Sequence, residues 1–449
     1  MGESIHIMSN KRRATPPVAP PSQRGGRREA AALGAITTQH AGARMWALGL
    51  LALASSAALA DRKPTDWQQV VNPAPVVGLD GKPHAAACSG FPGTNPAFSF
   101  WHKRGKSNNL VVYFEGGGAC WNNFSCSFPI SSGLPAEVPQ LYVPQVPPGS
   151  PASYDGIFNA RHPANPVKDW SFVYIPYCTG DVHNGSAART YYNAGHPVFP
   201  LPSSFPIRHG GFDNFMVVLD WMRKQADKPE QILVAGSSAG GYGASTNFPW
   251  VQRAFPKAKM AVLADAAQGV LSPAFDTALP GRNSWNPQLP RWVFGNDVNQ
   301  VASASILRTA ALALPEVRVG QFTTTYDLVQ IQFYGVSLQT NPALPSCPSG
   351  GVAASWNKNA LASLSAAAAA APNYRHYLAA GTYHTILRSP GFYTEASAGV
   401  AFSDWTAALL KKGGGAGDGR GHDDEQDRNP HSAWQNLACP GCLVAPVCP

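Results

Sequence analysis

The sequence predicts an α/β fold of the α/β-hydrolase type, in which helices cover both faces of a mostly parallel sheet. Two observations lead to this prediction. Apolar runs suited to strands alternate along the chain with helix-compatible stretches, the order typical of a parallel sheet. One run ends in Gly-x-Ser-x-Gly and continues into a helical pattern. Because 44% of the 449 residues are hydrophobic and 13% are charged, one large domain with Pro-rich insertions can form.

Six apolar runs are the candidate strands of this sheet. Each is followed by a loop that carries Gly, Asp or His, and such loops at the carboxyl ends of strands build the active sites of open α/β sheets. The runs are Leu110–Phe114, Ser171–Ile175, Gln231–Ala235, Met260–Ala264, Arg318–Thr324 and His376–Ala379.

Residues 1–60 have the character of a leader that precedes a catalytic domain at 61–449. Arg44 is followed by a short apolar run, Met45–Ala60, which ends in Ala-Leu-Ala, an A-x-A cleavage pattern. We predict a disordered extension over 1–44 and a signal peptide cleaved near Ala60, which gives a secreted or periplasmic protein. No later segment reaches about 18 uncharged apolar residues, so no membrane span is expected.

The net charge of +8 comes largely from the leader. The leader holds seven of the 34 Lys and Arg residues, and its removal leaves 27 basic against 24 acidic residues. The remainder has no basic stripe interleaved with aromatic residues, so a nucleic-acid partner is not predicted.

The eight cysteines all follow the leader, which suggests disulfides in an exported protein. Cys439-Pro-Gly-Cys442 could be half of a zinc site, but no second Cys pair or His pair completes it. We predict a structural bridge there and neither a metal nor a cofactor. The cysteines are Cys88, Cys120, Cys126, Cys178, Cys347, Cys439, Cys442 and Cys448.

Several segments lie outside the strand pattern. Pro135–Pro151 and Val198–Pro206 are Pro-rich and long enough to be lid or rim insertions. The alanine-rich stretch Ala360–Ala371 predicts a helix that Pro372 stops. Residues 411–428 are Gly-rich and charged, which is typical of a flexible surface excursion before the cysteine-bearing tail.

The catalytic signal lies in the run Gln-Ile-Leu-Val-Ala-Gly-Ser-Ser-Ala-Gly-Gly-Tyr-Gly, which starts at Gln231. A strand leads into Gly-x-Ser-x-Gly and then a helix, the order of a nucleophile elbow. Gly236 and Gly240 permit the tight turn because a Cβ at either position would meet neighbouring backbone. We predict that Ser238, at the centre of the pattern, is the nucleophile; the alternative is a plain Gly-rich turn.

An earlier strand ends in three glycines, in Leu-Val-Val-Tyr-Phe-Glu-Gly-Gly-Gly-Ala-Cys. An α/β-hydrolase places half of its oxyanion hole at this position. Backbone N–H groups must face the developing negative oxygen, and side chains would obstruct them. We predict that Gly117, Gly118 and Ala239 are the donors; the alternative is a structural turn.

A serine nucleophile needs a general base, and this fold orders its triad as Ser, acid and His. Among the histidines after Ser238, His376 lies within a predicted strand, and His422 and His431 lie in or near the Gly-rich tail. His384, in Gly-Thr-Tyr-His-Thr-Ile, directly follows a strand. We therefore predict His384 as the base; the alternative is a hydrogen-bonded surface histidine.

Two aspartates compete for the place of the acid. Asp265 ends the strand after the elbow helix, and Asp327 follows the strand before the histidine-bearing one. Both precede His384, so chain order does not separate them. In a sequential sheet the Asp327 loop lies closest to His384, which favours Asp327.

Four motifs together resemble the pectin acetylesterase and Notum carboxylesterase family, over about Cys88 to Ser389. They are Phe-Glu-Gly-Gly-Gly-Ala-Cys-Trp, Pro-Tyr-Cys-Thr-Gly-Asp-Val-His, Gly-Ser-Ser-Ala-Gly-Gly-Tyr-Gly and Gly-Thr-Tyr-His-Thr-Ile. The resemblance implies an α/β-hydrolase fold and the removal of acyl groups from oxygen by a metal-free triad of Ser238, Asp327 and His384.

The resemblance also implies two disulfides. Cys120 and Cys126 match the family's bridge beside the oxyanion strand, and Cys88 pairs with Cys178 on the resemblance alone.

The expected function is that of a monomeric, exported serine esterase that deacetylates an extracellular polysaccharide through an acyl-enzyme. A polyester depolymerase or lipase-like esterase would use the same residues and is the alternative enzyme. A catalytically inactive binding protein on a hydrolase scaffold is the alternative of another class. The complete set of Ser238, Asp327 and His384 argues against inactivity.

Overall fold

The computed structural model describes residues 65–135, 138–225, 228–339, 350–411, 434–439 and 442. The strands, in chain order, are β1 (Gln68–Val71), β2 (Val76–Val77), β3 (Pro83–His84), β4 (Ser99–Lys103), β5 (Asn109–Phe114), β6 (Ser171–Ile175), β7 (Ala187–Tyr192), β8 (Ser204–His209), β9 (Gln231–Ser237), β10 (Lys259–Asp265), β11 (Arg318–Thr324), β12 (Tyr374–Ala379), β13 (Ala396–Ser397), β14 (Val400–Ala401) and β15 (Leu437–Ala438).

The α-helices are α1 (Asn123–Ser127), α2 (Gly211–Gln225), α3 (Ala239–Ala254), α4 (Pro273–Thr277), α5 (Arg291–Phe294), α6 (Ile306–Ala313), α7 (Leu328–Ser337), α8 (Gly350–Ala370), α9 (Gly391–Thr394) and α10 (Phe402–Leu410). Short 3₁₀ helices lie at Pro151–Ser153, Gly156–Phe158, Arg282–Trp285, Val298–Gln300 and Ser303–Ser305.

Nine of these strands form one sheet in the order β1-β4-β6-β5-β9-β10-β11-β12-β15. Every neighbouring pair from β6 to β15 is parallel, whereas β1, β4 and β6 pair antiparallel. The predicted α/β class with a mostly parallel sheet is confirmed. All six predicted strands lie side by side in its centre, and β9 to β12 follow chain order, which brings the loops after β11 and β12 together.

Helices cover both faces of the sheet, and β5 shows how. Leu110, Val112 and Phe114 belong to a core beneath α2, α3, α6 and α8, while Val111 and Tyr113 belong to a core beneath α10. Side chains alternate between the two faces of a strand, so a strand whose odd and even positions are all apolar is buried on both faces. This burial explains why the central strands were visible in the sequence as continuous apolar runs.

Helix α8 is longer than predicted. The sequence predicted Ala360–Ala371, but the helix begins ten residues earlier, at Gly350. Two glycines and two asparagines make that first part a poor helix former on its own. Ala353 and Trp356 are nevertheless buried there against neighbouring side chains, and this packing outweighs the weak local preference.

The first of the two Pro-rich segments packs against the glycine loop after β5. In Pro135–Pro151, Leu141 and Tyr142 are fully buried, and Leu141 O accepts a hydrogen bond from Ala119 N at 2.8 Å. This segment therefore supports the glycine loop after β5. Val198–Pro206 leads into β8, which pairs antiparallel with β7. In the second segment Phe205, within β8, is buried, whereas Val198 is exposed.

Other predictions fall beyond these residues. The leader over 1–60, the excursion after Lys411 up to 428, Cys347 and Cys448 lie outside the described residues. Within the described part of the chain, no helix combines the length and apolar character needed to cross a membrane.

Candidate active site

Ser238 lies at the sharp turn between β9 and α3. Its backbone has φ 57° and ψ −126°, a conformation that a non-glycine residue adopts only under strain. The turn depends on the flanking glycines: a Cβ on Gly240 would lie 2.0 Å from Phe114 O, and one on Gly236 would lie 2.1 Å from Gly240 O. The strand, turn and helix expected of a nucleophile elbow are therefore present at Ser238.

His384 lies in the loop after β12 and contacts Asp327. Its Nδ1 donates to both carboxylate oxygens of Asp327, at 2.9 Å to Oδ1 and 2.7 Å to Oδ2. Asp327 is fully buried and caps helix α7 by accepting from Gln330 N. The Gln330 side chain donates a further bond to Asp327 Oδ2 at 3.0 Å. Gln330 thus holds the Asp327 carboxylate in place through two hydrogen bonds, and the carboxylate orients the His384 imidazole.

The other ring nitrogen of His384, Nε2, is buried and has no hydrogen-bond partner among the described residues. Burial lowers the pKa of His384, but the charge of Asp327 and its hydrogen bond raise it, and the balance lies above the ordinary value. A histidine that is held at Nδ1 and free at Nε2 can take up and release a proton at Nε2.

Asp265 lies close to the same histidine loop, but its hydrogen bonds among the described residues go to other groups than the ring. Its Oδ2 accepts hydrogen bonds from Ser237 Oγ at 2.6 Å and from the backbone N–H of Ile386 and Leu387 at 2.9 and 3.0 Å. Burial raises its pKa, and these hydrogen bonds oppose that shift. The structure therefore brings Asp327 to the His384 ring and Asp265 to the backbone that follows it.

The glycine loop after β5 lies beside the elbow, since a Cβ on Gly116 would lie 2.8 Å from Ser238 Cβ. Val143 N donates to Gly117 O, and Ala119 N donates to Leu141 O, both at 2.8 Å. The N–H groups of Gly117, Gly118 and Ala239 have no acceptor among the described residues. Gly118 has φ +70°, and a Cβ there would lie 1.9 Å from Leu141 O, so only glycine fits.

Ser238 and His384 line the same cavity, which has a volume of about 60 Å³. Gly118 and Ala239 also line it, whereas Gly117 does not. Most of the wall is aromatic or aliphatic, which is typical of a small-molecule site with a few placed polar groups. The apolar wall residues are Ala119, Trp121, Val182, Ala266, Val270, Leu271, Phe275, Trp285, Ile306, Val329 and Phe333.

An ion pair near the site was not predicted from the sequence. Glu115, which directly precedes the three glycines, is buried and lies 3.2 Å from Arg388 Nη1. Tyr154 OH donates to the same carboxylate at 3.3 Å, and the Arg388 guanidinium lies over the Tyr154 ring. The pair joins the glycine loop to the histidine loop. Its only sequence signal was the position of Glu115 beside the glycines.

Asp181 is a second missed residue, although its motif supported the family resemblance. It is fully buried, and its oxygens accept from Thr179 Oγ1 at 2.6 Å and from Gly211 N at 2.7 Å. Burial raises its pKa to about 6. His183, two residues on, donates from Nε2 to Glu115 O at 2.8 Å. Asp181 thus fixes the turn that supports Glu115.

All six cysteines within the described residues form disulfides, namely Cys88–Cys178, Cys120–Cys126 and Cys439–Cys442. Within those residues, the one cluster of metal-type side chains is Cys120, Cys126 and His209. The disulfide uses both sulfur atoms, and His209 bonds Tyr191 OH and Thr179 O. These three residues therefore do not offer a metal site.

Comparisons with known proteins agree with the family resemblance. Residues 79–270 match the sequence model of the Pectinacetylesterase family. Palmitoleoyl-protein carboxylesterase notum1a of Danio rerio is 28% identical over 155 residues, which is 34% of this chain and 27% of that protein. Palmitoleoyl-protein carboxylesterase notum1' of Xenopus laevis is 28% identical over 160 residues, 35% of this chain and 29% of that protein.

The aligned part spans less than a third of the length of these relatives. The resemblance to the pectinacetylesterase and Notum family is confirmed, and these two relatives are named as carboxylesterases. The family match contains the glycine loop and Ser238 but ends before Asp327 and His384.

Proposed function

We propose, from this confirmed resemblance, that the protein is a secreted serine carboxylesterase whose triad is Ser238, Asp327 and His384. The observation that carries the proposal is His384: Asp327 holds its Nδ1, and its unpartnered Nε2 belongs to the cavity that Ser238 lines. A general base requires this combination of one fixed and one free nitrogen.

The reaction has two steps. His384 Nε2 takes the proton of Ser238 Oγ as this oxygen attacks the ester carbonyl carbon. The N–H groups of Gly118 and Ala239, with Gly117 as a neighbouring donor, stabilise the oxyanion. The bond to the alcohol oxygen then breaks, and His384 gives its proton to the leaving alcohol. Water repeats the sequence on the acyl-enzyme and releases the carboxylic acid and free Ser238.

Two substrate classes fit this mechanism. Deacetylation of an extracellular polysaccharide is the function suggested by the family resemblance. The lipase-like alternative is favoured by one specific observation, the largely apolar wall of the cavity that Ser238 lines. The names of the relatives describe removal of a palmitoleoyl group from protein.

Labelling and hydrolysis test the proposal together. A fluorophosphonate probe should label the wild type and not Ser238→Ala. The folded variant should lose on the order of 10³-fold or more in kcat on p-nitrophenyl esters. A rate series from acetate to octanoate, with acetylated glycans in parallel, separates the two substrate classes. Absence of labelling in well-folded wild type would instead support the inactive binding protein.

Export is part of the proposal. Three disulfides among the described residues are typical of an oxidising compartment. N-terminal sequencing of secreted protein should begin near Asp61. An intact leader on a cytoplasmic enzyme would contradict this part alone.

A further inference from the structure

The active-site cavity contains a buried cation that the proposed mechanism does not use. Arg282 lines the cavity together with Ser238, and its side chain is 2% exposed. Its Nη2 donates to Val298 O at 2.7 Å and to Asp276 O at 3.2 Å. Its Nε and Nη1 have no hydrogen-bond partner among the described residues. A buried donor without a hydrogen-bond acceptor costs free energy, and within the described part of the chain Nε lacks an acceptor altogether, whereas Nη1 has only an ion-pair contact at 3.5 Å with Asp276.

The other polar side chains of the cavity wall help to interpret Arg282. Gln330 and Tyr242 are hydrogen-bonded to protein groups. His384 Nε2 is the other unpartnered buried nitrogen on this wall, and its partner in the proposed mechanism is the reacting Ser238 hydroxyl. By the same reasoning, the partner of Arg282 is an oxygen atom of whatever occupies the cavity.

The charges near Arg282 indicate the class of that oxygen. Asp276 Oδ1 lies 3.5 Å from Arg282 Nη1 and already balances its charge. Both Asp276 oxygens accept from Ser303, one from its Oγ and one from its N. An anionic ligand would leave an uncompensated negative charge in this apolar cavity, which is costly. A neutral carbonyl or hydroxyl oxygen would satisfy the donors without that cost.

We infer that Arg282 binds a neutral oxygen on the acyl chain, and that the preferred substrates are esters of oxygenated acyl groups such as oxo- or hydroxyacyl chains. This inference rests on the proposed function, since it assumes that the acyl group enters this cavity. The ester would still be cleaved by Ser238. Arg282 would add specificity for the chain beyond the carbonyl carbon.

The test compares p-nitrophenyl octanoate with its 4-, 5-, 6- and 7-oxo analogues and with an analogue that ends in a carboxylate. Each kcat/KM is divided by the rate of hydroxide-catalysed hydrolysis, which removes differences in intrinsic reactivity. At one oxo position the wild type should exceed octanoate by about 10-fold or more, because a buried charged donor gains its acceptor. The favoured oxo position also shows which carbon of the acyl chain lies beside Arg282.

Arg282→Met should reverse this preference in favour of plain octanoate. The matched control is Phe333→Leu, which changes the apolar wall and should leave the ratio of oxo to plain ester as in wild type. If Arg282→Met does not fold, the wild-type scan decides alone. No favoured oxo position in the wild type would mean that the nitrogens hold only water, and this would overturn the inference.

The remaining outcomes separate this inference from the proposed function. A carboxylate-ended chain that is better than every oxo chain would overturn the assignment of a neutral ligand, as would an Arg282→Met variant that keeps the oxo preference. Hydrolysis of octanoate without any oxo preference removes this inference and leaves the proposed function standing. Loss of all Ser238-dependent hydrolysis would remove the proposed function itself.

Discussion

Asp327 and Asp265 are both fully buried and both belong to the surroundings of His384, but they bond to different parts of the histidine loop. Asp327 lies three residues beyond the end of β11 and reaches the imidazole. Asp265 is the last residue of β10, and it bonds to Ser237 on the neighbouring strand and to two backbone N–H groups. One carboxylate orients a ring, and the other anchors a backbone.

The comparison teaches that chain order is a weak guide to the acid of a triad. A side chain at the very end of a strand remains level with the sheet, where the neighbouring strand and loop backbone are its nearest partners. A side chain carried past the strand by a short loop can reach over to the next loop. This difference predicts distinct effects for substitutions at the two positions.

The largest expected effect is that of Asp327→Asn. The amide cannot hold the imidazole in the tautomer that leaves Nε2 free, so kcat should fall by roughly 10⁴-fold while substrate binding changes little. Steady-state kinetics with circular dichroism as a folding control would check this. A loss below about tenfold in folded protein would remove Asp327 from the mechanism.

Asp265→Ala should act chiefly on stability. It leaves the Ser237 hydroxyl and two buried N–H groups without an acceptor, and each such group costs about 1–3 kcal/mol. Urea denaturation should show a large drop in the free energy of unfolding, and kcat/KM should fall by about 100-fold as the histidine loop shifts. Asp265→Asn is the matched control, since it retains an acceptor oxygen, and its turnover should remain within about tenfold of wild type. A larger kcat loss in Asp265→Asn than in Asp327→Asn would exchange the two roles.

Ser237→Ala should have a smaller effect. Ser237 Oγ donates to Asp265 and accepts from Tyr113 OH at 2.7 Å, but Asp265 Oδ2 keeps its two backbone donors without it. We expect a loss of roughly 1–3 kcal/mol in unfolding free energy and a change in kcat of less than about tenfold. Turnover reduced as strongly as in Asp327→Asn would show that Ser237 acts in the chemistry.

The smallest expected effect is on pH dependence. In the proposed mechanism His384 acts as a base when neutral, and its raised pKa means that activity should be lost as the pH falls through that value. Removing a nearby negative charge lowers this pKa, so the acid limb of kcat/KM should move to lower pH. The contribution of Asp327 exceeds that of Asp265, and the shift in Asp327→Asn should exceed that in Asp265→Asn. Equal shifts would contradict the comparison.

The central sheet was predictable because its strands are buried on both faces and appear as apolar runs. Strands β1 and β4 were not predicted, since β1 is largely exposed and β4 carries His102 and Lys103. Ser238 was visible because its strained turn demands glycines at fixed spacing.

Contacts between distant residues set the limit of sequence reasoning. The choice between Asp327 and Asp265 remained open because it depends on which atoms of one loop face which carboxylate. Arg282 gave no local signal at all, because its burial in the cavity results from packing of the surrounding loops. Such residues become visible only when the chain is folded.

The ion pair of Glu115 with Arg388 joins residues 273 positions apart. A chain that is still being completed carries Ser238 and its glycine loop without the partner loop, and closing so long a loop is a slow, non-local event in folding. In the proposed mechanism, Ser238 would therefore lack its acid and base until the last third of the sequence has packed against the sheet. If the proposed triad is correct, ester hydrolysis would report that the segment around Arg388 has folded onto the glycine loop.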